Sequence, residues 1–182
     1  MQYFAEEVHN NAEAAGIRAG WAGITFEGAD TGHAINVFET VDRGAVMIDC
    51  TGSSNNTSAD SRDMVAYIRE GSRYGVISLE KVLKSGMEHF SLTYEYYEQQ
   101  AAGWREYKEL LEAFNAEVLR YNAEIDGKVY TIGSPEEKRI SAWQKELTDR
   151  EELLESMEAE NGGHWYESEF SSYTVSGVQI HW

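Results

Sequence analysis

Apolar residues at the front of the chain fall at Phe4, Ala5, Val8, Ala12 and Ala15, and Gly16 follows them. One face of a helix repeats about every 3.6 residues, and a glycine just past the last turn supplies the left-handed conformation that ends it. The spacing therefore predicts an amphipathic helix over residues 3–15. From Ile17 the pattern becomes extended. "IRAGWAGITF", the turn-rich "EGADTG", "HAINVFETV", the break "DRG" and "AVMIDC" predict three strands with tight connections. Asp42-Arg43-Gly44 reads as a three-residue hairpin loop with its glycine in the left-handed region. After the polar stretch "TGSSNNTSADSRD", the runs "MVAYI" and "GVISL" predict two further short strands around "REGSRYG".

From about Glu88 the residues become long helix formers. Trp104, Tyr107, Leu111, Phe114, Val118, Tyr121 and Ile125 alternate spacings of three and four, a heptad seam. A second seam runs through Ile140, Trp143, Leu147, Leu154 and Met157, with Arg150 interrupting it. Between the seams, Ser134 is placed to cap a helix, Pro135 to take its first position and Glu137 to complete a capping box. The two seams predict a stiff antiparallel helical hairpin. "ENGG" stops the second helix, and "YTVSGVQIHW" predicts a last strand that returns to the first sheet. The expected architecture is α+β: a core made of residues 1–87 and 163–182, with a helical hairpin inserted over residues 88–162.

Charge narrows the partners. The chain has 182 residues, 42% of them apolar, enough for a core, and 15 Lys plus Arg against 32 Asp plus Glu give a formal charge of -17. Such a surface repels phosphate backbones and anionic lipid, so neither nucleic acid nor a membrane surface is an expected partner. The aromatic residues of the arm sit at heptad positions without a basic track beside them, which favours core packing over base stacking. The glutamates at 151–152 and 155–160 read as a solvated helix face. Cys50 is the one cysteine, so no internal disulfide or multi-cysteine zinc site is expected. No apolar run approaches the roughly 20 residues that cross a bilayer, and no signal peptide is legible at the front. The abrupt start at a helix leaves room for an upstream segment carrying a leader or an anchor. His9 with Asn10 and Asn11, on a short helix, read as solvent-facing or sheet-edge contacts, and His164, Trp165, His181 and Trp182, without a third acidic or thiol ligand placed nearby, read as surface or strand residues. No cofactor is called for.

The chemistry concentrates on His33 and Asp49. A hairpin sets the start of its first strand beside the end of its second, which brings the two residues together. A carboxylate that fixes one imidazole nitrogen leaves the other free for proton transfer, which makes two parts of a nucleophile–His–Asp triad. The third would be a cysteine in the first turn of the leading helix, where the helix dipole and free N–H groups favour a thiolate.

In this setting the chain resembles the transglutaminase-like superfamily of papain-fold cysteine enzymes. Phe4-Ala5, Gly16-Ile17, Gly32-His33 and Asp49-Cys50-Thr51 stand in that family's order and spacing, over residues 1–52. The resemblance implies a papain-like core and amide chemistry on a peptide or glutamine substrate by a Cys–His–Asp triad. It also exposes departures. Met1 occupies the nucleophile position, three residues before Phe4; Arg18 and Cys50 stand where the family often has proline. A thioether has no proton to lose, so the chain as written is expected to be inactive in acyl transfer. Either an upstream segment supplies the nucleophile or the protein is an inactive relative. Cys50 follows Asp49 along a strand, so its side chain points to the opposite face and reads as an inert thiol. The alternative is a non-catalytic binding or assembly module whose arm binds a partner or a second copy.

Overall fold

A computed structural model describes residues 2–51, 63–85, 90–160, 165 and 167–182, the side chains of residues 2–4, 84 and 85 aside. Its elements are α1 (Gln2–Ala14), β1 (Ala19–Phe26), β2 (His33–Thr40), β3 (Gly44–Asp49), β4 (Met64–Tyr67), β5 (Gly75–Ser78), α2 (Leu79–Ser85), α3 (Tyr94–Ile125), α4 (Pro135–Glu160) and β6 (Val175–His181). The class is α+β, with six antiparallel strands in the order β5-β4-β3-β2-β1-β6. The chain divides into two compact units: Met1–Gln99 with Trp165–Trp182, and Gln100–His164.

Local chemistry sets the boundaries. Gly16, at φ 75°, closes α1: Ile17 N–H reaches the Ala12 carbonyl and Gly16 N–H the Glu13 carbonyl, the paired bonds of a Schellman stop. Thr40 faces Gly44 across the β2–β3 turn, so the loop is Val41-Asp42-Arg43, one residue earlier than the sequence suggests. Gly44 keeps its positive φ of 72° as the first residue of β3. The strand in "GVISL" ends at Ser78. Leu79 opens α2, a run of good helix formers that buries Val82. The first long helix begins at Tyr94 rather than near Glu88, which lies outside the described residues. Thr93 precedes it, and its hydroxyl accepts from Tyr96 N–H at 3.4 Å.

The sheet of the first unit has an inner and an outer face. Ala22, Ile24, Phe26, Ile35, Val37, Ala66, Val76 and Val175 form the inner core with Tyr74 and Phe170. The ends of the sheet approach each other. Arg73 and Thr174 form an isolated antiparallel bridge, Tyr74 N–H donates to the Tyr173 carbonyl and Val175 N–H to the Ser72 carbonyl. The residues before β5 and β6 therefore join, and the sheet curls into a barrel closed at that end. On the outer face, Ile48, Val65, Tyr67 and Ile77 pack with Val82, Phe90 and Tyr94. Tyr67 stacks on Tyr97 at 5.6 Å and meets Phe90 at 6.4 Å. This aromatic cluster explains why the start of α3 belongs to the first unit, whereas the sequence reading ended the core at residue 87. Also on the outer face, the Asn36 side-chain amide donates to the Ala5 carbonyl at 2.7 Å and fastens α1 to β2.

In the second unit α3 and α4 run antiparallel. Tyr121 meets Trp143 edge-on at 5.4 Å and Arg139 pairs with Glu124 at 2.8 Å, while Glu158 sits at the Tyr107 hydroxyl. Partners thus descend one helix as they climb the other. Tyr107, Ile140, Leu147 and Leu154 are buried, and Arg150 faces solvent where the second seam breaks. Glu137 N–H donates to the Ser134 hydroxyl at 3.1 Å, but the Glu137 carboxylate accepts from Gly133 N–H and not from Ser134, whose N–H is already taken by the Thr131 carbonyl.

Truncating the barrel core should cost far more than truncating the arm's surface. Ile35, 1% exposed, changed to alanine should lower unfolding free energy by about 2–5 kcal/mol in urea titration. Val129→Ala, at a residue 98% exposed, should stay within about 0.5 kcal/mol of the parent.

Candidate functional site

Gly32 sets the start of β2. A Cβ there would lie 2.5 Å from the Ile24 carbonyl oxygen, so a side chain would push β2 away from β1. His33 then stands directly opposite Ile24. The β2–β3 register pairs Asn36 with Ile48, which turns Asp49 to the same inner face as His33. The two meet as the hairpin geometry predicts: His33 Nε2 lies 2.8 Å from Asp49 Oδ2, with the imidazole side chain 0% and the carboxylate side chain 4% exposed.

Asp49 is saturated with donors. Oδ2 also accepts from the Tyr74 hydroxyl at 2.7 Å, and Oδ1 accepts from the Thr51 hydroxyl at 2.6 Å and from Thr51 N–H at 3.1 Å. Burial pushes this carboxyl up, but the hydrogen bond and charge of His33, aided by Thr51 and Tyr74, outweigh it and hold Asp49 below the ordinary carboxylate range. Burial first, and the Asp49 charge second, push the Tyr74 phenol well above its ordinary value, so it remains a donor. Phe170 stacks on the imidazole at 4.1 Å and Tyr74 meets it edge-on at 5.6 Å. Nε2 is the ring nitrogen that faces the carboxylate, which leaves Nδ1 on the far side of the ring. That atom is buried and has no hydrogen-bond partner among the described residues.

Tyr74 and Phe170 were not singled out in the sequence. Tyr74 carried a signal, because it lies two residues before Val76 and so shares its face of the sheet. Phe170 carried none, because it comes from the turn ahead of β6 and reaches the site only through barrel closure.

The other candidate residues lie elsewhere. Met1, which the resemblance would set at the nucleophile position, lies outside the described residues, as does His164. The described part of α1 packs on the outer face, where Asn36 holds it, whereas His33 points inward. Cys50 is half-buried with the outer cluster; burial, followed by the charges of Asp63 and Asp49, pushes its thiol up to about 12. It is a protonated, inert thiol at neutral pH. His181 stacks on Trp21 at 4.1 Å, Trp182 lies under the Arg18 guanidinium, and Trp165 stacks on Tyr97. Among the described residues no three His, Cys, Asp or Glu side chains gather as a metal site, and no helix is long and apolar enough to cross a membrane. Compared with models of protein families, with curated proteins and with solved structures, the chain matches none of them.

Because Asp49 holds its proton more weakly in the folded than in the unfolded chain, its contribution to stability is present above the ordinary value of 3.8 and lost as pH falls below it. Urea midpoints measured down through that range should fall steeply for the parent. Asp49→Asn should lower stability at neutral pH by about 3 kcal/mol and flatten the acid limb.

Proposed function

We propose that the protein is a relative of the transglutaminase-like cysteine enzymes, with a papain-like core and an inserted helical hairpin, that keeps the imidazole–carboxylate half of their acyl-transfer site without a thiol at the nucleophile position. The observation that carries this reading is His33 Nδ1: the ring is clamped through Nε2 by Asp49 at 2.8 Å, and its other nitrogen is buried without a partner among the described residues. A purely structural histidine gains by pairing both nitrogens, since an unsatisfied buried polar atom costs about 1–3 kcal/mol. A triad histidine needs the second nitrogen open toward a nucleophile. Gly32-His33 and Asp49-Cys50-Thr51 supply the same elements in the family's order, and Thr51 fixes the carboxylate that fixes the ring. Given a cysteine in place of Met1, its thiol proton would pass to Nδ1. The sulfur would attack a glutamine or peptide carbonyl, and His33 would return the proton to the departing amine while Asp49 holds the ring.

A second reading, a non-catalytic binding or assembly module, is favoured by a different observation. The imidazole has no solvent exposure, and α1 lies across the outer face of the barrel while the ring points inward. In this reading the His33–Asp49–Tyr74 cluster is a core hydrogen-bond network and the arm makes the contacts. Leu119 and Leu153, 70% and 53% exposed, are the surfaces it would use.

Thiol chemistry separates the readings. Met1→Cys, placed behind an added start residue, should react rapidly with iodoacetamide and titrate well below the ordinary cysteine value of about 8.5. A thiol titrating normally would remove the catalytic-site reading. For the assembly reading, sedimentation velocity over a dilution series should reveal a dimer that Leu119→Glu dissociates; a monomer at every concentration refutes it.

A further inference from the structure

Two depressions on the outer face of the barrel meet at one tryptophan. One, of about 360 Å³, lies between α1 and the sheet against Glu6, His9, Asn10, Trp21 and Ala34. The other, of about 800 Å³, crosses the sheet against Trp21, Gly23, Thr25, Ala34, Gln179 and His181. Each falls in the size range of natural ligand sites. Trp21 and Ala34 line both, so the depressions form one trough that runs from α1 to β6.

The floor is open because of a glycine that the fold does not require. A Cβ at Gly20 or Gly32 would lie 2.4 or 2.5 Å from a carbonyl oxygen, so packing excludes side chains there. A Cβ at Gly23 would meet only a Trp21 ring carbon at 3.4 Å and the Gln179 carbonyl oxygen at 3.9 Å, and its φ is not positive. Glycine weakens a strand interior. Here its effect is to leave space above the sheet.

The walls select by charge. Glu6 flanks one depression and Glu70 the other, both exposed, and among the described residues no lysine or arginine lines either. The whole chain carries -17, so an anion is repelled before it arrives. Beside the trough runs an unpaired strand edge. β6 is the last strand of the sheet, and beyond Val175 its outer side has no backbone partner among the described residues. The strand "VSGVQIH" holds no lysine, glutamate or proline of the kind that blocks strand addition.

We propose that the trough and the free edge of β6 bind an extended basic peptide segment. Its backbone pairs with β6, and a lysine or arginine side chain crosses the floor at Gly23 over Trp21, between Glu6 and Glu70. Main-chain pairing supplies affinity, and the acidic walls supply selection for a cation. The trough also reaches Gly32 and the backbone of His33, so the segment passes the start of β2. The inference rests on the trough's own walls and holds for an enzyme and a binding module alike.

The test uses the full chain and a blocked, fluorescein-labelled hexapeptide alternating valine and lysine, followed by anisotropy. Saturable binding is expected, at least tenfold tighter than for the counterpart with glutamate in place of lysine. Gly23→Leu, with unchanged circular dichroism, should weaken it at least tenfold by filling the floor. Should that variant not fold, Glu6→Gln with Glu70→Gln, both at the surface, should weaken binding several-fold and reduce its salt dependence. Absence of binding, equal binding of the two peptides, or binding unaffected by these substitutions would overturn the proposal. So would self-association that Gly23→Leu abolishes, because a second copy would then be the occupant.

Discussion

Asn36 stands opposite Ile48 in the β2–β3 hairpin, and because side chains alternate along a strand, that single pairing divides the unit into an inside and an outside. It turns Asp49 toward His33 and away from solvent. It also turns Asn36 outward to the Ala5 carbonyl, so the helix that precedes the sheet is fastened by the same strand that holds the imidazole inward. A slip of one residue would carry the histidine out, the asparagine in, and the whole apolar set of β2 to the wrong face. Gly32 guards the register from the other side by leaving no room for a shifted side chain against β1.

The closure between Arg73 and Thr174 completes what the hairpin begins. It brings Tyr74 from one end of the sheet and Phe170 from the approach to the other, and both rings close on His33. Four groups from four separated parts of the chain then share one low-dielectric space. In such a space a carboxylate stays ionised only if it is well supplied with donors, and Asp49 has four among the described residues. The network therefore has little slack: every donor that holds the carboxylate also limits how far the imidazole can turn.

Much of this was legible beforehand for definite physical reasons. The two heptad seams in the arm were read residue by residue because period alone decides which side chains are covered. The His33–Asp49 pair was legible because a hairpin fixes which strand ends become neighbours. What escaped were effects decided at long range. The loop shift at Val41 came from Thr40 pairing with Gly44, and α2 was hidden because a four-residue strand followed by a short helix leaves no clear period. The assignment of the first turns of α3 to the sheet unit depends on Tyr94, Tyr96 and Tyr97 finding Tyr67 and Phe90, which no local pattern announces. Phe170 is the extreme case, since its place at the site is set by a bridge between residues about a hundred positions apart.

The position of β6 has a kinetic consequence. β1 pairs with β2 through a short turn, but its other edge waits for Val175–His181, with Trp21 finally opposite His181. Closing so long a loop late is slow for a flexible chain, because ordering entropy must be lost before any contact returns it. Two long helices, α3 and α4, occupy much of the intervening sequence. A helical hairpin zips by local contacts on a faster timescale and returns the end of its second helix toward the start of its first, so much of the sequence distance is removed before β6 docks. In that order of events the arm acts as a folded spacer, and the β1 edge stays exposed for a shorter time than the bare sequence separation would impose.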